Sequence, residues 1–163
     1  MGWKKGMLHN DAEHDGTIAL VDASAKPRPL VLVAEPDSER RATFAEALQA
    51  AGYAVASIAD PSQAAAETAR VMPALIIVRL GDAADGFGLF RELRGVPDTR
   101  DIPLLVLMRF DDQFIREQIV RAGATAILIE PLRRTLLLRQ VRRLLARGAR
   151  TVNRGASPAA RAH

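Results

Sequence analysis

Short, nearly unbroken apolar runs recur along the chain at residues 30–34, 53–58, 74–78, 102–108 and 125–129, each followed by a segment of helical period. Apolar runs of this length without polar alternation suit parallel strands buried on both faces. After the first run, Ser38 is placed to cap a helix through Ala51. Arg41, Phe44, Ala45 and Leu48 recur in it at helical spacing, and Gly52 stops it. Further helices are predicted over 60–71, with Pro61 near the start, and over 87–96, 111–123 and 132–147. Strands alternating with helices through short connections predict an α/β fold: a doubly wound, five-stranded parallel sheet with five helices.

The polar stretches set the boundaries. Residues 1–28 close on "KPRP" and read as a flexible leader, 29–147 as the folded domain, and 148–163 as a basic, flexible tail. With 163 residues, 48% of them hydrophobic, the chain can build one ordinary core. The absence of cysteine excludes a disulfide framework, thiol catalysis and a Cys-based zinc site, and fits the cytoplasm. The histidines, His9, His14 and His163, fall in the terminal segments. No apolar run approaches the roughly 18 residues of a membrane span, and no signal peptide or myristoylation signal is present, so no membrane role is expected.

Charge changes the picture more than composition does. The net charge of +4 conceals a split: residues 1–130 carry 19 acidic and 14 basic residues, whereas 131–163 carry nine arginines and no acid. Such a division points to a basic surface able to meet an acidic partner.

In doubly wound sheets, sites form beyond the carboxyl ends of the strands. Here those ends carry Glu35-Pro36-Asp37 after the first strand, Arg79 at the third, Met108-Arg109 after the fourth and Glu130-Pro131 after the fifth. A guanidinium cannot lose its charge and is costly to desolvate without a partner, so Arg79 is expected at the mouth of the sheet.

At this point the chain resembles a family. "VLVAEPDSERR", "MPALIIVRLGDAADGFGLFRELR", "IPLLVLM" and "AGATAILIEPL" are similar, in order and spacing over about residues 29–147, to the four sequence blocks of the receiver domain of bacterial two-component response regulators. The resemblance implies a signalling protein, and it exposes departures at nearly every chemical position. Where the family has two successive acids that help to hold magnesium, this chain has Glu35 and Pro36. The aspartate that takes the phosphoryl group is replaced by Arg79. The Thr or Ser that reports phosphorylation is Met108, the aromatic switch residue is Ile127, and the lysine before a cis proline is Glu130, followed by Pro131. The loop from Arg79 to Gly86 is one residue shorter than the family's.

An acyl phosphate needs a carboxylate nucleophile, a divalent cation and a group to hold the oxygens. Arg79 removes the nucleophile and repels the metal, so no magnesium, no other cofactor and no enzymatic activity are expected. The exchanged signs predict an Arg79–Glu130 salt bridge. Three other readings of the same residues stay open. Glu35 and Asp37 could hold a cation with Asp82 or Asp85; Asp82 could be a displaced phosphoacceptor, which would make the chain a conventional single-domain response regulator; Arg79 and Arg109 could hold an anion. An enzyme or nucleotide-binding protein would need a Gly-rich phosphate loop or a nucleophile–base pair, and neither is evident. Asp111-Asp112 are expected to cap the fourth helix.

The fifth helix is the second candidate region. Leu137, Val141, Leu144 and Leu145 make its core stripe, while Arg139, Arg143, Arg147 and Arg150 repeat along another face. This face is either plain solvated surface or a docking surface for an acidic signalling partner. The resemblance also implies a dimer or effector contact through the fourth helix, fifth strand and fifth helix. Nucleic acid is not expected, since no aromatic residue is there to stack on bases. The favoured reading is a phosphorylation-independent pseudo-receiver that works by protein interaction.

Overall fold

A computed structural model describes residues 26–81 and 86–155. The elements run β1 (Leu30–Ala34), α1 (Ser38–Ala50), β2 (Ala54–Ile58), a 3-10 turn at Pro61–Gln63 leading into α2 (Ala64–Val71), β3 (Leu75–Arg79), α3 (Gly86–Gly95), β4 (Leu104–Met108), α4 (Gln113–Ala122), β5 (Ala126–Ile129) and α5 (Arg134–Gly155). All strand pairs are parallel, in the order β2-β1-β3-β4-β5. The expected doubly wound sheet is formed.

Alternation along the strands divides the core in two. Leu32, Ala34, Ile76, Val78, Leu104 and Val106 face one side, where α2, α3 and α4 supply Ala64, Phe90, Leu93 and Ile119. Val31, Val33, Leu75, Ile77, Leu105 and Leu107 face the other, covered by Leu48 of α1 and Leu137, Val141 and Leu144 of α5. Because both faces are covered, the buried positions of β1, β3 and β4 must be apolar, and this is why the sequence shows runs instead of alternation.

Local chemistry sets the helix ends. Asp37, in extended conformation, is the N-cap of α1 and accepts the Arg40 N–H at 2.8 Å, so the cap lies one residue before the expected Ser38, which is the first helical residue. Asp60 caps the 3-10 turn by accepting from Ser62 N at 2.9 Å. Asp112 caps α4 through Ile115 N at 3.0 Å, while Asp111 pairs with Arg116 at 3.2 Å instead of capping. Gly123 closes α4 with φ 112°, a left-handed conformation natural to glycine. One boundary is corrected. The tail expected from residue 148 begins inside α5, which continues to Gly155, because one interior glycine costs only about 1 kcal/mol against alanine and cannot by itself end a helix.

Candidate functional site

The strand order reverses between β1 and β3, and the carboxyl ends of these strands flank the crevice where doubly wound folds place their sites. β1 delivers Glu35, whose N–H donates to the Ile58 carbonyl at 3.1 Å, and β3 delivers Arg79, in register with Leu107 of β4. Glu130 follows β5; its N–H donates to the Met108 carbonyl at 2.8 Å, and its bond to Pro131 is cis.

These backbone anchors bring three charges together. Arg79 Nη2 donates to Glu130 Oε2 at 2.9 Å, and Arg79 Nη1 lies 3.6 Å from Glu35 Oε1. One guanidinium, from the end of β3, thus bridges two carboxylates contributed by the ends of β1 and β5. Glu35 is only 1% exposed, Arg79 13% and Glu130 16%. At such burial, an unpaired charge is far costlier than at the surface. The expected Arg79–Glu130 pair is formed, and Arg79 serves Glu35 as well.

Two cations that the sequence reading did not assign to this cluster join from α1. Arg40 Nη2 lies 3.5 Å from Glu35 Oε1, and Arg41 Nη1 donates to the Glu35 carbonyl at 2.8 Å. The signal was their spacing: a helix capped at residue 37 turns positions 40 and 41 back over the end of β1. Glu35 Oε1 also accepts the Asp37 N–H at 2.9 Å. Asp37 itself is spent on its cap, and the Arg40 N–H, followed by the Arg40 charge, holds its carboxyl below the ordinary value of 3.8 against the opposing pull of desolvation. Among the described residues, Glu35 Oε2, Arg40 Nε and Arg79 Nε are buried without a hydrogen-bond partner.

The remaining candidates divide. Met108 is buried at the end of β4 and packs with Ile127 in the apolar core on the α2, α3 and α4 side. Arg109 is exposed, its guanidinium 5.3 Å from the centroid of the Phe110 ring. Pro36 and Pro131 are exposed at the rim. Asp82 and Asp85 lie outside the described residues. Among the described residues, no group of three or more His, Cys, Asp or Glu side chains is placed to hold a metal ion.

Another residue that sequence reasoning missed braces the fold below the site. Arg94 of α3 donates to the carbonyls of Gly123 at 2.7 Å and Ile102 at 2.8 Å, tying α3 to the end of α4. Burial pulls its pKa below the usual arginine value, partly offset by the charge of Asp101. An arginine in an amphipathic helix that also carries Arg91 gives no sequence signal for such a clamp.

No family model matches the chain. Over 110 residues, or 66% of its length, it is 33% identical to the response regulator PleD of Caulobacter vibrioides, of which it spans 24%. The solved receiver domain of a sensor histidine kinase from Pseudomonas aeruginosa, with magnesium coordinated in its active-site cleft, is 26% identical. It superposes with a TM-score of 0.66 over 74% of this chain and 99% of that one. This chain carries a response-regulator receiver domain. The receiver fold is also that of the chemotaxis protein CheY4 of Vibrio cholerae, with 24% identity and a TM-score of 0.67 over 72% of this chain and 99% of that one. At the cluster just described, the receiver domain here carries a cation at the end of β3 and an acid after β5.

On α5, Leu137, Val141 and Leu144 are buried, while Arg139 and Arg143 are exposed on the far side of the helix. Arg147 is exposed too, and the side chain of Arg150 lies outside the described residues. Around α4, Phe110 (64% exposed), Phe114 (69%) and Val120 (57%) leave apolar surface in water. Among the described residues no helix is long and apolar enough to cross a membrane.

Proposed function

We propose that this receiver domain is a phosphorylation-independent protein-interaction module of a cytoplasmic signalling pathway. The observation that carries the reading is Arg79 at the end of β3, bridging Glu35 and Glu130. Phosphoryl transfer to this position needs a carboxylate nucleophile and a divalent cation beside it. A guanidinium supplies neither, and its fixed charge already neutralises the acids that a metal would need. Magnesium prefers near-octahedral oxygen ligands at about 2.0–2.1 Å. With Pro36 in place of a second acid and Asp37 engaged in its cap, the set falls short of that requirement, so the domain works without magnesium, phosphoryl chemistry or other enzymatic activity.

Signalling then depends on surfaces. The arginine face of α5 suits an acidic protein partner, and the apolar residues around α4 suit a dimer or effector contact through α4, β5 and α5. Because the chain spans 24% of its curated relative, the activity of that whole protein does not transfer with the fold. Titration with beryllofluoride and magnesium tests the first part: unchanged amide signals at residues 79–81 and 104–110 are expected, and saturable shifts would refute it. For the second, affinity capture with the full chain should lose its partner when Arg139, Arg143 and Arg147 are changed to glutamate. Identical captures would remove the basic face from the account.

A further inference from the structure

α5 has an inner and an outer seam. Leu137, Val141 and Leu144, at steps of four and three residues, are buried against the sheet. On the opposite side Leu136, Arg139, Arg143 and Ala146 follow at steps of three, four and three, and all are exposed. At about 3.6 residues per turn, these positions fall within about a quarter of the helix circumference. Alternating steps of three and four are the spacing with which one helix packs along another. Arg142 flanks the outer seam and is exposed as well.

The composition of the outer seam selects its occupant. Arg139, Arg142 and Arg143 take part in no salt bridge among the described residues; Arg147, which has an interaction within the chain, is not counted with them. Residues 131–155 contain no acid, so α5 offers no counter-charge of its own. Pairing this face with its copy in a second molecule would set arginine against arginine, and like charges held together oppose such a contact. The charged centre is closed at both ends by apolar positions: Leu136, which is 36% exposed, and Ala146, about 15 Å farther along the axis. A nucleic-acid backbone would meet the arginines with phosphates but has nothing apolar for those ends. A helix with Asp or Glu at the middle of its seam and apolar residues at the ends matches every position. The small side chain of Ala146 also lets the two axes approach.

We infer that the outer seam of α5 receives one amphipathic helix of a different protein, with carboxylates opposite Arg139 and Arg143 and apolar side chains opposite Leu136 and Ala146. This rests on reading the face as the docking surface for an acidic partner. The full chain is titrated with a fluorescent, stapled helical peptide whose seam reads Leu-Glu-Glu-Leu at steps of three, four and three. The control is a stapled helix of the same composition with its glutamates moved to the far face. Anisotropy should show saturable binding at least about tenfold tighter than the control, with amide shifts centred on residues 135–147. Changing Arg139 and Arg143 together to glutamate should weaken binding at least about tenfold, and a peptide with lysine in place of its glutamates should restore it, which separates lost charge from lost fold. Leu136→Ser should weaken binding about threefold. Equal binding of the control helix or of polyglutamate, tighter binding of duplex DNA, or no saturable binding would overturn the inference. Binding that follows charge alone would leave the acidic docking surface standing without the helix, and affinity capture reports on that surface independently, so the two readings fail separately.

Discussion

Arg79→Ala removes the one cation shared by two acids, and its cost can be worked from the geometry. Glu35, at 1% exposure, would keep the Asp37 N–H at 2.9 Å and the Arg40 charge at 3.5 Å, and Glu130 would lose its 2.9 Å hydrogen bond. Breaking a buried pair by deleting one partner costs about 3–5 kcal/mol, and the residual exposure of Arg79 and Glu130 places the estimate near the low end, about 3 kcal/mol. Glu130→Ala should cost less, about 1.5–2 kcal/mol, because Arg79 keeps Glu35 and loses one charge-assisted bond. The double variant should therefore cost less than the sum, with a coupling of about 1.5 kcal/mol. Urea unfolding of the four proteins measures this directly, and an overall stability of about 5–15 kcal/mol leaves the single variants folded. In 1 M salt the coupling should persist, since buried pairs are screened far less than exposed ones. Additivity within about 0.3 kcal/mol, or loss of the coupling in salt, would refute the buried bridge.

Other changes probe the same framework. Arg79→Asp would place three carboxylates together; its melting temperature should fall well below that of the native chain and rise with magnesium, by up to about 2.7 kcal/mol of stabilisation at a hundred times the dissociation constant, while the native chain shows no response. Gly123→Ala should destabilise by about 2 kcal/mol, because φ is 112° and the new Cβ would meet Arg94 Nε at 2.8 Å; Arg94→Ala should relieve part of this, measured by denaturant midpoints. Asp112→Ala should cost about 1 kcal/mol through the lost α4 cap, whereas Asp111→Ala, at an exposed pair, should be nearly silent. Asp37 and Asp60 have folded pKa values lowered from 3.8 by the N–H groups they accept at their caps and, at Asp60 first of all, by the Ser62 side chain, so they stabilise above the unfolded value and lose this as pH falls through the folded one. The urea midpoint should drop in that acid range, and less steeply when both are changed to asparagine.

The fold was legible because its periodicities are unmixed. Runs such as Leu75–Val78 have no polar position to suggest a second face, and the Arg79–Glu130 pair could be foreseen across 51 residues because both sit at strand ends in one plane. Proximity within the rim was not legible. Asp37 and Ser38 are adjacent and both are good caps, and only the backbone conformation decides which one serves. Arg109 lies next to Met108, but β4 ends between them, and Met108 is buried while Arg109 is exposed beside Phe110. Arg94 was invisible as a clamp because its partners are backbone carbonyls, which any sequence supplies. The extent of α5 past residue 147 was not legible, because the Arg-, Gly- and Ala-rich composition from 148 onward reads as tail, whereas the helix continues to Gly155.

With Arg79 at the end of β3, the domain is proposed to signal without accepting a phosphoryl group. Incubation of the full chain with acetyl phosphate and magnesium, followed by intact-mass measurement before and after acid treatment, tests it most directly. The mass should stay unchanged. An acid-labile gain of one phosphoryl group, mapped to Asp82 or any other carboxylate, would contradict it.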